Sequence, residues 1–235
     1  HGAAWCFTCA KKLPATLPTC PECHGDDLEP YAHLVEPFEI PPGWPVVFVI
    51  DPHPRKNDAM GWFAITPSDD VMMIGELEVG GTAKDVAREI NAWEASHRIY
   101  PVKRLMDPNI AVETNDKLDR GWTLRRAYDE EGIHCSLAND ELNVGIQAVQ
   151  ELLKPDPATR RPRFAVFSDC SRFIYSMGRW TWDEYQSSGD KEPKERPRDR
   201  HKDFADVVRY LALDRPTHDS YIRAGAVYHH AGRPA

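Results

Sequence analysis

A chain of 235 residues can bury one good-sized core, or one core plus a small satellite module. Its content of 41% hydrophobic and 28% charged residues is that of an ordinary globular protein, and no apolar run approaches the roughly 18 to 20 residues a membrane helix needs. The formal net charge of -8 argues against a protein that coats nucleic acid through a bulk positive field. It does not argue against one that cuts it, because clustered carboxylates lower net charge and bound divalent cations restore attraction to phosphate.

The opening His1-Gly2, with neither methionine nor a basic-then-apolar leader, reads as the start of a piece trimmed from something longer. Residues 1–28 have no room for a core of their own, yet they hold four of the six cysteines. Cys6-x-x-Cys9 and Cys20-x-x-Cys23 are two close pairs with ten residues between them. Each pair brings two thiolates to one ion, and two pairs complete the tetrahedron that zinc prefers. The prolines of the intervening loop, Pro14 and Pro18, with Pro21 inside the second pair, suit the tight turns of a zinc ribbon. Reduced or disulfide-paired cysteines are the alternative, but close pairing points to metal and to a reducing compartment. With all four positions filled by cysteine, such a zinc ion is structural; His24 is not needed as a ligand. Cys135 and Cys170 stand alone.

Residues 29–45, rich in proline, read as an extended linker. Val46 to Ile50 is a β-branched apolar run, the signature of a strand buried on both faces. Gly61–Thr66 and Val71–Val79 follow as strands around the turn Pro67-Ser68-Asp69-Asp70. After the strand-to-helix turn Gly80-Gly81, Thr82 and Asp85 have the spacing of a capping box. Val86, Ile90, Trp93 and His97 then mark one face of a helix. Val102–Met106 is a fourth strand, 119–131 and 139–153 are helical by pattern, and Phe164–Phe167 is a fifth strand leading into a short helix near Cys170–Met177. Ser187–Arg200, charged and almost without large apolar residues, reads as a mobile loop carrying a local basic stretch. A last helix over about 199–213 places Phe204, Val207, Val208 and Leu211 on one face. Residues 226–235, with His229-His230, read as a tail. Three strands, a helix, then alternating strands and helices predict an α/β fold, a mixed central sheet flanked by helices.

Chemistry is expected where acids end buried strands. Asp51 directly follows Val46–Ile50, and a charge there is costly unless it meets a metal or a partner. Asp107 repeats the pattern after Val102–Met106, and both acids precede proline, so each also fits a plain turn. Asp203 and Asp206, three apart, share a side of the last helix, where a solvated acidic edge is the alternative. Together the four offer hard oxygen ligands suited to magnesium or manganese. The sequence has no Gly-x-x-x-x-Gly-Lys-Ser/Thr, Gly-x-Gly-x-x-Gly, Gly-x-Ser-x-Gly or His-Glu-x-x-His motif.

The stretch His201-Lys202-Asp203-Phe204-Ala205-Asp206-Val207-Val208-Arg209-Tyr210 resembles the end of the nuclease domain of tailed-bacteriophage large terminase subunits. Phe164–Phe167, Asp169–Ile174 and the aromatic Trp180–Tyr185 are similar to that family's last strand, helix and hairpin, and the resemblance spans about residues 46–214. It implies a ribonuclease-H-like domain at 46–225 that cuts concatemeric viral DNA in the host cytoplasm during packaging. Asp51, Asp107 and Asp206 match the family's acidic triad, and Asp203 its auxiliary, often histidine, ligand. The implied partners are double-stranded DNA, a packaging ATPase domain outside this chain, the portal and the small terminase subunit. The cysteine knuckle is not a general feature of that family. Two other readings are a non-catalytic zinc and sheet docking module, and a transposase- or resolvase-type nuclease of the same fold.

Overall fold

The computed structural model describes residues 3–9, 11–14, 16–31, 33–53, 56–111, 123–180, 182–184, 193–197 and 200–222. In chain order, β1 (Ala3–Cys6), β2 (Lys11–Pro14) and β3 (Leu28–Tyr31) form a small antiparallel sheet with β1 in the middle. β4 (Leu34–Val35), β5 (Val46–Asp51), β6 (Asp58–Ile65) and β7 (Val71–Val79) lead into α1 (Ala83–His97) and β8 (Lys103–Met106). A 3-10 turn (Pro108–Ala111), α2 (Leu124–Glu130), β9 (Ser136–Leu137), α3 (Leu142–Leu153), β10 (Phe164–Phe167) and α4 (Ser171–Met177) follow. β11 (Trp182–Glu184) pairs with β12 (Pro193–Pro197) ahead of α5 (Asp203–Asp214). Among the described residues no helix is long and apolar enough to cross a membrane.

The main sheet has the order β4-β10-β7-β6-β5-β8-β9. β5, β6 and β7 form an antiparallel meander, while β8 joins β5, and β10 joins β7, in parallel. This is the mixed sheet expected from the chain order. The apolar run Val47–Ile50 exposes no surface, because strands lie on both sides of it and helices cover both faces. On one face Phe48 of β5 meets Trp62 of β6, and Trp93 of α1 stacks on Trp62 with ring centroids 3.9 Å apart. Beneath Trp93 is Gly75, where a Cβ would come within 2.1 Å of the indole, so only glycine lets the helix approach this closely. Arg104 of β8 pairs with buried Glu94 of α1 through two contacts of 2.7 Å, and Trp62 Nε1 donates to the same carboxylate. On the other face α5 lies across β5 and β6, flanked by α3 and α4.

Side chains alternate across a strand. Phe48 and Arg104 face α1, so Asp51 and Asp107, each three residues further on, are directed towards the α5 layer. That parity puts both strand-end acids on the side of the sheet where α5 carries its own.

Several boundaries differ from those read from the pattern. β6 begins at Asp58, three residues before Gly61, because its register with β5 continues to Asp51↔Ala59. Within the proline-rich stretch 29–45, Leu34–Val35 adds to the edge of the sheet beside β10, held also by His33 Nδ1 at 2.9 Å from the Phe164 carbonyl. Within Ser187–Arg200, Pro193–Pro197 is a strand rather than a loop, paired with Trp182–Glu184, and proline stands at both of its ends, where a strand tolerates it. The last helix begins at Asp203. The expected helix 119–131 is seen as Leu124–Glu130, and its first residues, like the tail 226–235 with His229-His230, lie outside the described residues. The capping box is formed as expected: Thr82 Oγ1 accepts from the Asp85 amide, and the Asp85 carboxylate accepts from the Thr82 amide.

Candidate active site

Asp51 ends β5 and Asp107 immediately follows β8, and the two strands are parallel neighbours with Ile50 opposite Met106. The Asp107 amide donates to the Ile50 carbonyl at 3.3 Å, so the two acids leave the sheet side by side at the same edge. α5 crosses β5 with Asp203 and Asp206 in its first turn, and Asp206 itself is buried. Burial foremost, then the charges of Asp206, Asp107 and Asp203, push the Asp51 carboxyl up to about 8. Burial also raises Asp206, against the pull of the Arg209 guanidinium. Like charges gathered in a partly desolvated place behave in this way.

Three of the acids are held by neighbours. Asp107 Oδ1 accepts from the Asn109 amide at 2.9 Å and from Asn109 Nδ2 at 3.0 Å, an Asx turn built on the Asp-Pro-Asn sequence. Asn109 Nδ2 also donates to Asp140 at 2.9 Å. Arg209, buried one turn along α5, donates to Asp206 Oδ1 from Nε at 3.0 Å and Nη2 at 2.9 Å, and from Nη1 to the Asp140 carbonyl at 2.7 Å. Asp203 pairs with Lys56 from the segment after β5. Asp140 thus ties the supports of Asp107 and Asp206 together. Sequence reading gave Asn109 and Asp140 no role, and nothing local marks them, since Asp140 reaches its partners across 31 and 69 residues. Tyr210 is buried among the acids: burial first, then Asp51, Asp107 and Asp206, hold its phenol protonated far above the usual range.

At the same sheet edge Asp58 begins β6, opposite Val79 and beside the Asp51↔Ala59 pair. It is buried, accepts from Tyr128 Oη, and accepts from the His53 amide at 2.7 Å. Burial raises its carboxyl, with both hydrogen bonds opposing. The bond to His53 pins the chain two residues after Asp51, a supporting role that sequence reading also missed.

The cysteines form a second centre. Among the described residues, Cys6, Cys9, Cys20 and Cys23 are the one group of three or more metal-type ligands with all donor atoms within 4.8 Å of each other. The carboxylates are not gathered so closely. Sγ of Cys6 and Cys23 are 3.7 Å apart, and those of Cys9 and Cys20 are 3.9 Å apart. A tetrahedron with bonds of about 2.3 Å has edges of about 3.8 Å, so the cage has the size of a zinc site. Amide donors from Cys23 and Glu22 lower the Cys20 thiol, while hydrogen bonding to Cys23 and burial raise the Cys9 thiol, as expected of thiols crowded together.

No protein-family model and no curated protein matches the chain. Solved structures do. The nuclease domain of the P22 large terminase superposes with a TM-score of 0.56 at 18% identity, over 77% of this chain and 87% of that one. The large terminase of a thermophilic bacteriophage gives 0.55 at 14% identity, over 77% of this chain but 41% of that longer protein. The chain has the ribonuclease-H-like α/β fold of phage large terminase nuclease domains, preceded by a four-cysteine module.

Proposed function

We propose that this chain is the endonuclease domain of a tailed-bacteriophage large terminase subunit, which cuts concatemeric viral DNA during genome packaging. The observation that carries the reading is the convergence of Asp51, Asp107, Asp206 and Asp203, from two parallel strand ends and one helix, on one edge of this fold. Four hard oxygen donors fit magnesium or manganese, which would lower the pKa of a water and neutralise charge on a phosphodiester. Asp51, desolvated by burial and facing the charges of the other three, would be the central ligand. Arg209 and Asn109 hold the Asp206 and Asp107 carboxylates in place, and Lys56 holds Asp203. The cysteine cage would carry a structural zinc ion. The packaging ATPase, the portal and the small terminase subunit would be the partners, in the cytoplasm of an infected host.

Plasmid cleavage by the purified chain tests this. Cleavage should be strongest in manganese, weaker in magnesium, absent in EDTA and of little sequence preference. Asp51→Asn should abolish it with the fold intact, because an amide removes a negative ligand at nearly constant volume; Asp203→Asn should do less harm. An Asp51→Asn protein that cuts as well as its parent would exclude the metal mechanism and leave the docking module as the better reading.

A further inference from the structure

Beside the carboxylates is a groove of about 480 Å³, bordered by Ala59 and Glu78 at strand ends, Arg172 and Tyr175 on α4, and His201 and Asp203 at the start of α5. Its α4 wall is anchored on its buried side. The Glu76 carboxylate on β7 accepts from the Arg172 and Phe173 amides at 2.8 and 2.7 Å, and buried Phe173 meets Phe204 of α5 edge-on at 6.5 Å. The outer face of the same helix is different in character. Tyr175 keeps 49% of its surface open although His201 lies against it at 5.4 Å and the Arg179 guanidinium lies over its ring at 3.8 Å. Arg172, also exposed, is 3.6 Å from Glu78 at the groove edge. A half-open aromatic ring with the Arg179 guanidinium over it and Arg172 on the same helix puts an aromatic and two cations at the margin of the acidic site.

We infer that this groove holds the strand of DNA to be cut, with a base stacked against Tyr175 and the flanking phosphates on Arg172 and Arg179. The inference rests on the nuclease reading and adds the surface that would deliver the strand. A ring stacks on any base, so the platform gives affinity without base preference. Guanidiniums supply the phosphate contacts that fix register. Because Phe173 and Glu76 lock α4 to α5 and β7, a base on Tyr175 has a defined position relative to Asp203 and Asp206. Stacking on a side chain requires the base to leave its own helix, so the groove favours a frayed or single strand over intact duplex.

The test is binding rather than cutting. A single-stranded oligonucleotide containing 2-aminopurine, titrated with the full chain in calcium, should bind with its fluorescence quenched. Tyr175→Ala should weaken binding by about tenfold, the usual scale for one stacked base, and remove the quenching; Tyr175→Trp should restore both. Arg172→Gln with Arg179→Gln should weaken binding and flatten its salt dependence while sparing the quenching at saturation. Tyr175→Ala binding and quenching like the parent would overturn the proposal, as would a parent that does not bind the oligonucleotide. If the Tyr175 effect is present but the chain cuts nothing in manganese, the groove stands and the nuclease reading falls. If the chain cuts but Tyr175→Ala binds unchanged, the reverse holds.

Discussion

Asp51 follows four residues, Val47 to Ile50, that expose no surface, and its carboxyl takes its proton at about 8 rather than at the ordinary 3.8. Between those two values the unfolded chain is ionised while the folded chain still holds a proton. Any advantage of the folded protein from this group is therefore complete below 3.8 and is lost as pH rises through 8. Asn cannot ionise, so Asp51→Asn should melt higher than the parent in buffer without divalent ions, by a margin that grows from pH 6 to pH 9. A difference of about 1 kcal/mol corresponds to about 2–4 °C in a chain of this size. Manganese should close the gap by stabilising the parent alone. Melting curves that stay parallel across that range would show that Asp51 is not desolvated among like charges. At this scale the sequence was informative where a single residue broke a strong pattern, as Asp51 and Asp107 do at the ends of apolar strands. It was silent on the partners. Asp58 and Tyr128 are 70 residues apart, and no local pattern announces such a pair.

Elements were legible for the same reason that they are stable. The run Val46–Ile50, the Thr82 and Asp85 capping box, and the apolar faces of α1 and α5 all state their periodicity locally, and each is found where expected, except that His97, read onto the α1 face, is exposed. The edges were less legible, because an edge strand such as Leu34–Val35 or Pro193–Pro197 is defined by a partner elsewhere rather than by its own composition. How α5 is set into the molecule turns on Gly145 of α3. A Cβ there would lie 2.4 Å from Arg209 Cγ and 2.8 Å from Cδ. Arg209 is 5% exposed and its guanidinium is fixed by Asp206 and Asp140, so the near end of the side chain has little room to yield. In an open helix Gly→Ala would stabilise by about 1 kcal/mol, but overpacking costs about 1–3 kcal/mol, so the clash should win. Gly145→Ala is therefore expected to melt a few degrees lower and to cut poorly, since moving Arg209 moves Asp206. Melting and cleavage equal to the parent's would show that the arginine gives way without disturbing the acid.

In the whole molecule the cysteine module and the main sheet are two structures of different kinds. The sheet has a continuous apolar core from Val46 to Tyr221, whereas the described residues of the module bury little beyond Ala4, Cys6 and Cys20. On the proposed zinc reading, the ion in the cysteine cage would supply much of the module's stability. The two are joined through the turn between Pro155 and Pro162, where Arg160, in left-handed backbone conformation, donates to Asp27 at 2.9 Å and lies 4.0 Å over the Phe7 ring. That junction links residues 133 positions apart, so the cysteine spacing disclosed the cage but not where it docks. An exposed ion pair contributes little, about 0–1 kcal/mol, and one cation–π contact adds a similar amount. If these contacts set the strength of the junction, the core should not depend on the module. Cys20→Ser should lower bound zinc well below one equivalent and open the cysteine module to protease. The melting of the core, followed by the near-ultraviolet signal of buried Trp62, should move by no more than a few degrees, and cleavage in manganese should persist. If Cys20→Ser instead melts the sheet cooperatively with the module, the zinc cage is part of the nuclease fold. The weak junction at Arg160 would then understate what holds the two together.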